Sequence, residues 1–222
     1  PPLDEIEGYK VRPGFYNSEG AVPTARGVSF TIHSVGATGC TLLLFRPQEK
    51  EPYARLKYPE AYHIGNTFAM LVFGLEIDEF EYAFQLEGPY DESKGLLFDK
   101  NNVLLDPFAK AVTGQRNWGE RPESDEGFVY HARVVENNFD WGKLTFPEIP
   151  AEDLIIYETH VRGFTKDASS GVTAGGTFEG LRQKIPYLKD LGVNAIELLP
   201  IFEFDEMESA RVVDGVQLYN YW

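Results

Sequence analysis

The first hundred residues alternate between apolar and polar positions in short runs. The alternation is clearest over residues 28–33 and 81–87, and residues 41–45 and 67–73 are apolar runs of strand length. Clusters of Gly, Pro, Asn and Asp separate these runs. A period of two with frequent turns is typical of antiparallel sheets. The pattern predicts an immunoglobulin-like antiparallel β-sandwich over residues 1–112.

The hydrophobic period changes after residue 150. Residues 154–157 are a short apolar run, and residues 178–191 repeat apolar side chains at helical spacing. Thr177 is the predicted N-cap of this helix, and Pro186 removes a backbone hydrogen bond and should kink it. A second apolar run covers residues 195–200. Strand, helix and strand predict a parallel βαβ unit within residues 151–222.

Residues 113–150 are irregular and are predicted to form a structured connector between the two parts. Its two tryptophans, Trp118 and Trp141, are interpreted as buried packing residues. Two parallel strands and one helix cannot bury both faces of the strands. We therefore expect further strands, either from missing sequence or from a separate chain.

Composition narrows the function classes. The 222 residues carry a formal net charge of −15, which disfavours binding to nucleic acid. No apolar run approaches the length of a membrane span, so no membrane partner is expected, and the chain is predicted to be cytoplasmic. The single cysteine, Cys40, lies in an apolar run and is interpreted as a core residue.

Several separated segments resemble the isoamylase and glycogen-debranching type enzymes of the α-amylase family. Their sequences are GPYD (88–91), LLDPFAK (104–110), LIIYETHVRGFT (154–165), GGTF with LKDLGVNAIELLP (175–178, 188–200) and YNYW (219–222). The resemblance covers nearly the whole chain and keeps the family's order. It implies a carbohydrate-binding-like sandwich module followed by the first β-α-β portion of a truncated TIM (β/α)₈ barrel.

The resemblance also implies a function. This family hydrolyses α-glucans with retention of configuration, and its catalytic carboxylates lie on later strands. The expected partner is a branched α-glucan, either glycogen or amylopectin. The expected function is hydrolysis of α-1,6 branch points by an intact protein, with no catalytic residue within 1–222. A branching enzyme, a trehalose-releasing hydrolase and a non-catalytic glucan-binding module remain alternatives.

Only Tyr221 and Trp222 are predicted to bind substrate, because aromatic rings stack on sugar faces. Active sites of such barrels lie at the C-terminal ends of the strands. His160 and Arg162 lie at one such end and are interpreted as hydrogen-bonded groups that fix the barrel mouth rather than as orienters of catalytic groups. Glu158 and Glu197 would need partners if a barrel buried them.

The sequence predicts no cofactor and no metal. Four carboxylates form an acidic cluster after the second strand, at positions 203, 205, 206 and 208. One isoamylase subgroup binds calcium in this loop, and oxygen ligands suit that ion. Only Glu203 aligns comfortably with that subgroup, so a solvated acidic loop is the preferred interpretation.

Overall fold

The computed structural model describes residues 1–114, 117–120, 130–202 and 204–220. The chain divides into two compact units, Pro1–Asn138 and Phe139–Trp222. The strands of the first unit, in chain order, are β1 (Asp4–Ile6), β2 (Tyr9–Pro13), β3 (Gly20–Thr24), β4 (Gly27–His33), β5 (Gly39–Phe45), β6 (Pro52–Lys57), β7 (His63–Ile64), β8 (Thr67–Phe73), β9 (Glu81–Glu87), β10 (Tyr90–Asp91), β11 (Leu96–Leu97), β12 (Ala111–Thr113) and β13 (His131–Arg133).

The first unit is built from two antiparallel sheets. One runs in the order β1-β2-β8-β4-β3 with β7 paired to β8, and the other runs β12-β13-β9-β5-β6. The inward faces of both sheets form one hydrophobic cluster that includes Phe30, Leu42, Met70 and Phe84. Two antiparallel sheets packed over one core form a β-sandwich, as the alternating pattern predicts.

Strand β4 shows why alternation is an incomplete guide to burial. Phe30 faces the core, but the polar residues Ser29 and Thr31 are also fully buried. The backbone of Phe15 explains their burial. Its N–H donates to the Ser29 Oγ at 3.0 Å, and the Thr31 Oγ1 donates to its carbonyl at 3.0 Å. The chain before β3 therefore covers the second face of β4 and supplies hydrogen-bond partners for the hydroxyls.

The segment that follows β11 is fastened to the second sheet by a buried carboxylate. Tyr82 donates its hydroxyl to the Asp106 Oδ2 at 2.7 Å, and the Phe108 N–H donates to the Asp106 Oδ1 at 2.8 Å. Burial raises the pKa of Asp106, although the Tyr82 and Phe108 hydrogen bonds oppose this shift. Gly20 has φ near +79°, and a Cβ there would lie 2.9 Å from the Cβ of Phe108. Glycine is therefore required at this turn.

The region predicted as a connector contributes to the sandwich. Strand β13 joins β12 to β9, with Ala132 opposite Tyr82, so the sheet extends to Arg133. The divisions at residues 112 and 150 remain predictions. The expected burial of the two tryptophans is wrong, because Trp118 is 47% exposed and Trp141 is 66% exposed. Trp141 packs edge-to-face on Phe139 with ring centroids 4.8 Å apart, and Phe139 is itself exposed.

The second unit is smaller and has less buried apolar surface. Its elements, in chain order, are β14 (Ile156–Thr159), α1 (Val161–Thr165), α2 (Phe178–Gln183), α3 (Ile185–Asp190), β15 (Ala195–Leu198), β16 (Arg211–Val213) and β17 (Val216–Leu218). Strands β14 and β15 pair in parallel, and β16 and β17 form an antiparallel hairpin. None of the described helices is long and apolar enough to cross a bilayer.

The predicted helix exists as two pieces. Thr177 caps α2, since its Oγ1 accepts from the Gly180 N–H at 3.1 Å, which confirms the N-cap. The helix breaks at Lys184, and Pro186 lies in the first turn of α3. A proline in the first helical turn loses no hydrogen bond, because the N–H groups there have no partner within the helix. Pro186 therefore destabilises the helix least at the start of α3. The predicted kink is realised as a separation into α2 and α3.

Candidate functional site

The two residues predicted to bind substrate, Tyr221 and Trp222, lie outside the described residues. The chain just before them is held by its own loop. The Asn220 N–H donates to the carbonyl of Glu206 at 2.8 Å, and its side-chain amide donates to the carbonyl of Asp205 at 3.3 Å. These bonds hold Asn220 against the loop that carries Asp205 and Glu206.

The C-terminal end of β14 is organised by His160. Its Nδ1 accepts from the Gly163 N–H at 3.0 Å, and its carbonyl accepts from the Phe164 N–H at 3.0 Å. His160 therefore acts as the N-cap of α1 and satisfies two backbone donors. This geometry supports the structural interpretation of His160. Arg162 lies in α1 and packs close to Gly176, where an added Cβ would approach the Arg162 side chain at 3.5 Å.

The starts of β14 and β15 are tied together by Asn194. Its Oδ1 accepts from the Ile155 N–H at 2.7 Å, and its Nδ2 donates to the Asp153 carbonyl at 2.8 Å. Backbone bonds from residues 194 and 195 to the same Ile155 carbonyl continue the pairing. Sequence reasoning assigned no role to Asn194, and only the parallel register shows that it clamps both strands.

One face of the parallel pair carries two carboxylates side by side. Glu158 lies directly opposite Glu197 in the register, and both side chains are exposed. Like charges opposite one another destabilise a strand pair. Ile156, which precedes Glu158 by two residues on the same face, is also exposed. The expectation that both carboxylates need partners if a barrel buries them remains a prediction. The register adds that the two side chains would be buried next to each other.

The acidic loop after β15 is only partly described. Glu203 lies outside the described residues, so the calcium hypothesis there remains a prediction. Asp205 uses its Oδ1 to accept from the Met207 N–H at 2.9 Å. Glu206 is buried, which differs from the expected solvated loop. Within the described part of the chain, no group of three or more His, Cys, Asp or Glu side chains is arranged to hold a metal ion.

The sandwich has a polar depression that sequence reasoning did not identify. It lies on the second sheet and has a volume of about 510 Å³. The residues that line it are Thr41, Arg55, Gln85, Glu87, Lys100 and Asn101. Strand register brings them together, because Thr41 pairs with both Lys57 and Gln85 across β6, β5 and β9. No local sequence signal links these residues, since they come from three strands and a loop.

An apolar cluster lies beside the depression on this sheet. Leu43, Phe45 and Ala83 are buried on the same face of the sheet, and Val103 packs against them. The chain after β11 therefore crosses this side of the sheet and brings Lys100 and Asn101 beside it. Its position is fixed by backbone bonds between Phe84 and Leu104, at 2.8 and 2.9 Å.

A family comparison identifies this sandwich. Residues 18–109 match the family described as Carbohydrate-binding module 48 (Isoamylase N-terminal domain). Residues 18–109 therefore resemble an isoamylase N-terminal domain. The matched residues run from just before β3 to the segment that Asp106 fastens, so they include both sheets of the sandwich but not its first two strands or its last two.

Similarity extends beyond the isoamylase N-terminal domain. The chain is 33% identical over 211 residues to isoamylase 1, chloroplastic, of Arabidopsis thaliana, which covers 90% of this chain and 27% of that protein. It is 30% identical over 225 residues to the glycogen debranching enzyme of Serratia proteamaculans, which covers 96% of this chain and 33% of that enzyme. The chain therefore spans about a quarter to a third of the length of these relatives.

Solved structures share the fold. The apo pullulanase of Paenibacillus barengoltzii superposes with a TM-score of 0.66 at 20% identity, over 85% of this chain and 27% of that one. At this identity the likeness establishes the fold alone. The predicted resemblance to isoamylase and glycogen-debranching enzymes is confirmed by the family match and by the curated relatives.

Proposed function

We propose that this chain is the N-terminal portion of a glycoside hydrolase that cleaves α-1,6 branch points in glycogen- or starch-type glucans with retention of configuration. The observation that carries the proposal is the order of parts. An isoamylase N-terminal domain precedes a parallel β-α-β unit, and similarity to the Serratia glycogen debranching enzyme runs through both over 96% of the chain. The catalytic carboxylates are expected in sequence beyond residue 222.

The second unit is proposed to be the first β-α-β portion of a TIM barrel. Parallel strands are stable when both faces of their sheet are covered. Here the small buried cluster consists of Leu181 and Leu188 from the helices and Val193 from the loop before β15, while Ile156 and Ile196 on the strands remain exposed. Further strands, from additional sequence or a separate chain, would pair with the free edges and cover the face that carries Glu158 and Glu197.

The proposed partner is a branched α-glucan such as glycogen or amylopectin, without nucleic acid or membrane. Tyr221 and Trp222 remain the proposed substrate-binding residues, since they follow the loop that Asn220 anchors at the C-terminal side of β15. A cytoplasmic location is part of the same proposal and differs from that of the chloroplastic relative in Arabidopsis thaliana.

The proposal is tested by measuring reducing-end release from pullulan and glycogen. Residues 1–222 alone are expected to show no turnover, because they contain no proposed nucleophile or general acid. The intact gene product is expected to debranch both substrates. Turnover by residues 1–222 would contradict the proposal, because the catalytic residues would then lie within this chain.

Separate assays of the intact gene product distinguish the alternatives. An intact product that transfers chains and creates new branches would be a branching enzyme. Release of trehalose from a suitable maltooligosaccharide derivative would indicate a trehalose-releasing hydrolase. Binding of glycogen without any turnover would leave a non-catalytic glucan-binding protein.

A further inference from the structure

The polar depression on the sandwich has an unusual charge balance for this chain. The protein carries a net charge of −15, yet Arg55 and Lys100 both line this one depression. Its carboxylate, Glu87, is already neutralised, because the Lys57 Nζ lies 2.9 Å from its Oε1. Within the described residues, no carboxylate lies within ion-pair distance of Arg55 or Lys100. Their two positive charges are therefore uncompensated.

Gln85 links Arg55 to the chain segment that carries Lys100. Arg55 donates from one guanidinium nitrogen to the Gln85 Oε1 at 3.3 Å. The Gln85 Nε2 donates to the Asn101 carbonyl at 3.4 Å, and Lys100 is the preceding residue. This chain of bonds orients the guanidinium with its remaining N–H groups available. The Thr41 hydroxyl and the Asn101 side-chain amide add uncharged donors beside them.

The described lining has charge but no aromatic ring. Neutral sugars are held largely by stacking of their apolar faces on aromatic side chains, and none of the lining residues can provide such a face. Arginine presents a planar fork of N–H donors that matches a tetrahedral oxyanion, and lysine adds a point charge. The donors in this depression therefore fit an anion better than a neutral glucose ring.

We propose that this depression binds a phosphate-class oxyanion, supplied either as free orthophosphate or as a phosphate monoester on a sugar. Arg55 provides two-point contact, Lys100 provides the second charge, and Gln85 holds the guanidinium in place. Thr41 and Asn101 donate to remaining oxygens. The site lies within the isoamylase N-terminal domain and does not depend on the proposed debranching activity.

The test is a titration of the chain with small-molecule probes at constant ionic strength, in which two-dimensional NMR monitors the amide chemical shifts. Probes are sodium phosphate, glucose 6-phosphate, glucose and maltotetraose. Both phosphate probes are expected to give saturable shifts centred on Thr41, Gln85 and Asn101, and the neutral sugars none. The double variant Arg55→Gln/Lys100→Gln should weaken binding by roughly tenfold or more, because charged hydrogen bonds contribute most.

Control variants keep the test specific. Lys10→Gln removes an exposed charge from β2, on the other sheet, and should leave binding unchanged. Arg55→Lys retains the charge but loses the fork, so an intermediate loss is expected. Thermal unfolding of each variant should match the parent protein, since both replaced side chains in the depression are exposed.

The outcomes divide clearly. Tighter binding of glucose 6-phosphate than of orthophosphate assigns the site to a sugar phosphate, and the reverse order assigns it to the free ion; both uphold the proposal. Saturable shifts with glucose or maltotetraose that survive the double variant would overturn it in favour of a neutral sugar site. Phosphate shifts that fail to saturate, or that persist equally in the double variant, would also overturn it.

Discussion

The two compact units differ in how completely they bury their own strands. The sandwich packs its two sheets face to face, so residues such as Phe30, Leu42 and Phe84 are fully buried. In the β-α-β unit, buried apolar residues are few, and the strand residues Ile156 and Ile196 are exposed. The difference teaches that antiparallel sheets can complete a core between themselves, whereas a two-stranded parallel pair cannot.

The sandwich and the parallel pair of the second unit also differ in how they accommodate carboxylates. In the sandwich, Glu81 and His131 are both buried and lie 3.1 Å apart, and Glu81 also accepts from the Gln48 N–H at 3.1 Å. In the second unit, Glu158 and Glu197 face each other and are exposed to solvent. A carboxylate can be buried only where partners are already in place. The sandwich provides its own partners, and the parallel pair does not.

The largest effect is expected from the core of the sandwich. Phe30 packs edge-to-face against Tyr82 with ring centroids 5.0 Å apart. Phe30→Ala should lower the free energy of unfolding by about 3–5 kcal/mol, because a buried aromatic leaves a large cavity. Urea unfolding monitored by hydrogen exchange of peptides from residues 1–138 measures it. Ile156→Ala, at an exposed strand position, should change stability by less than about 0.5 kcal/mol. Equal losses from both variants would break the contrast between the units.

The next effect concerns the buried carboxylate that fastens the segment after β11. Asp106→Ala leaves the Tyr82 hydroxyl and the Phe108 N–H without their acceptor, which should cost about 1–3 kcal/mol in urea unfolding. Asp106→Asn keeps an acceptor oxygen and should cost less. A larger loss from asparagine than from alanine would contradict this role.

Asp106 also predicts a pH dependence. Burial raises its pKa above the ordinary value of 3.8, so the folded chain holds this proton to higher pH than the unfolded chain. The contribution of Asp106 to the free energy of unfolding is therefore fully present below pH 3.8, and it is lost as pH rises through the raised pKa. Urea unfolding across this range should show a smaller decline in Asp106→Asn than in the parent protein. An identical decline in both proteins would rule out Asp106 as its source.

A smaller effect is expected at the start of α2 in the second unit. Thr177→Ala removes the oxygen that accepts from the Gly180 N–H and should cost about 1 kcal/mol. Thr177→Ser retains the oxygen and should recover most of that loss. Exchange of amides in residues 178–183 reports the change directly. If serine behaves like alanine, the cap does not stabilise this helix.

The smallest effect lies on the exposed surface of α2. Arg182 donates two hydrogen bonds to Glu179, at 2.6 and 2.7 Å, and these bonds lower the pKa of Glu179 to about 2. Arg182→Gln should return that pKa toward its ordinary value in a carbon-detected NMR titration. Global stability should not change measurably, because exposed ion pairs contribute little. A clear loss of global stability would mean that this exposed ion pair stabilises the second unit, contrary to the prediction.

Much of the sandwich could be predicted from the sequence, because alternation reports directly which strand face is buried. In β9, where residues 81–87 alternate, Tyr82, Phe84 and Leu86 all lie in the core. The hydroxyls of Ser29 and Thr31 are not, since their burial depends on a distant backbone segment around Phe15. Strand β13 was also missed, because three residues are too short to show a period.

The candidate sites were less predictable than the fold. His160 was recognised as a structural group from its place after a strand, and its capping bond supports that interpretation. The depression around Arg55 and Lys100 gave no sequence signal. These two residues are 45 positions apart and share the depression only in the folded sheet. The predicted stacking residues Tyr221 and Trp222 rest on resemblance alone.

By itself, the sequence determined the two periods, the helix interruption near Pro186, the N-cap at Thr177 and the resemblance to isoamylase-type proteins. Each of these depends on local spacing or on short motifs that a linear chain displays openly. Only the tertiary structure decided that Asp106 is buried, that Glu158 opposes Glu197, and that Arg55 and Lys100 share a depression. These features arise from pairing between residues distant in sequence, and register is set by the whole sheet rather than by any one strand.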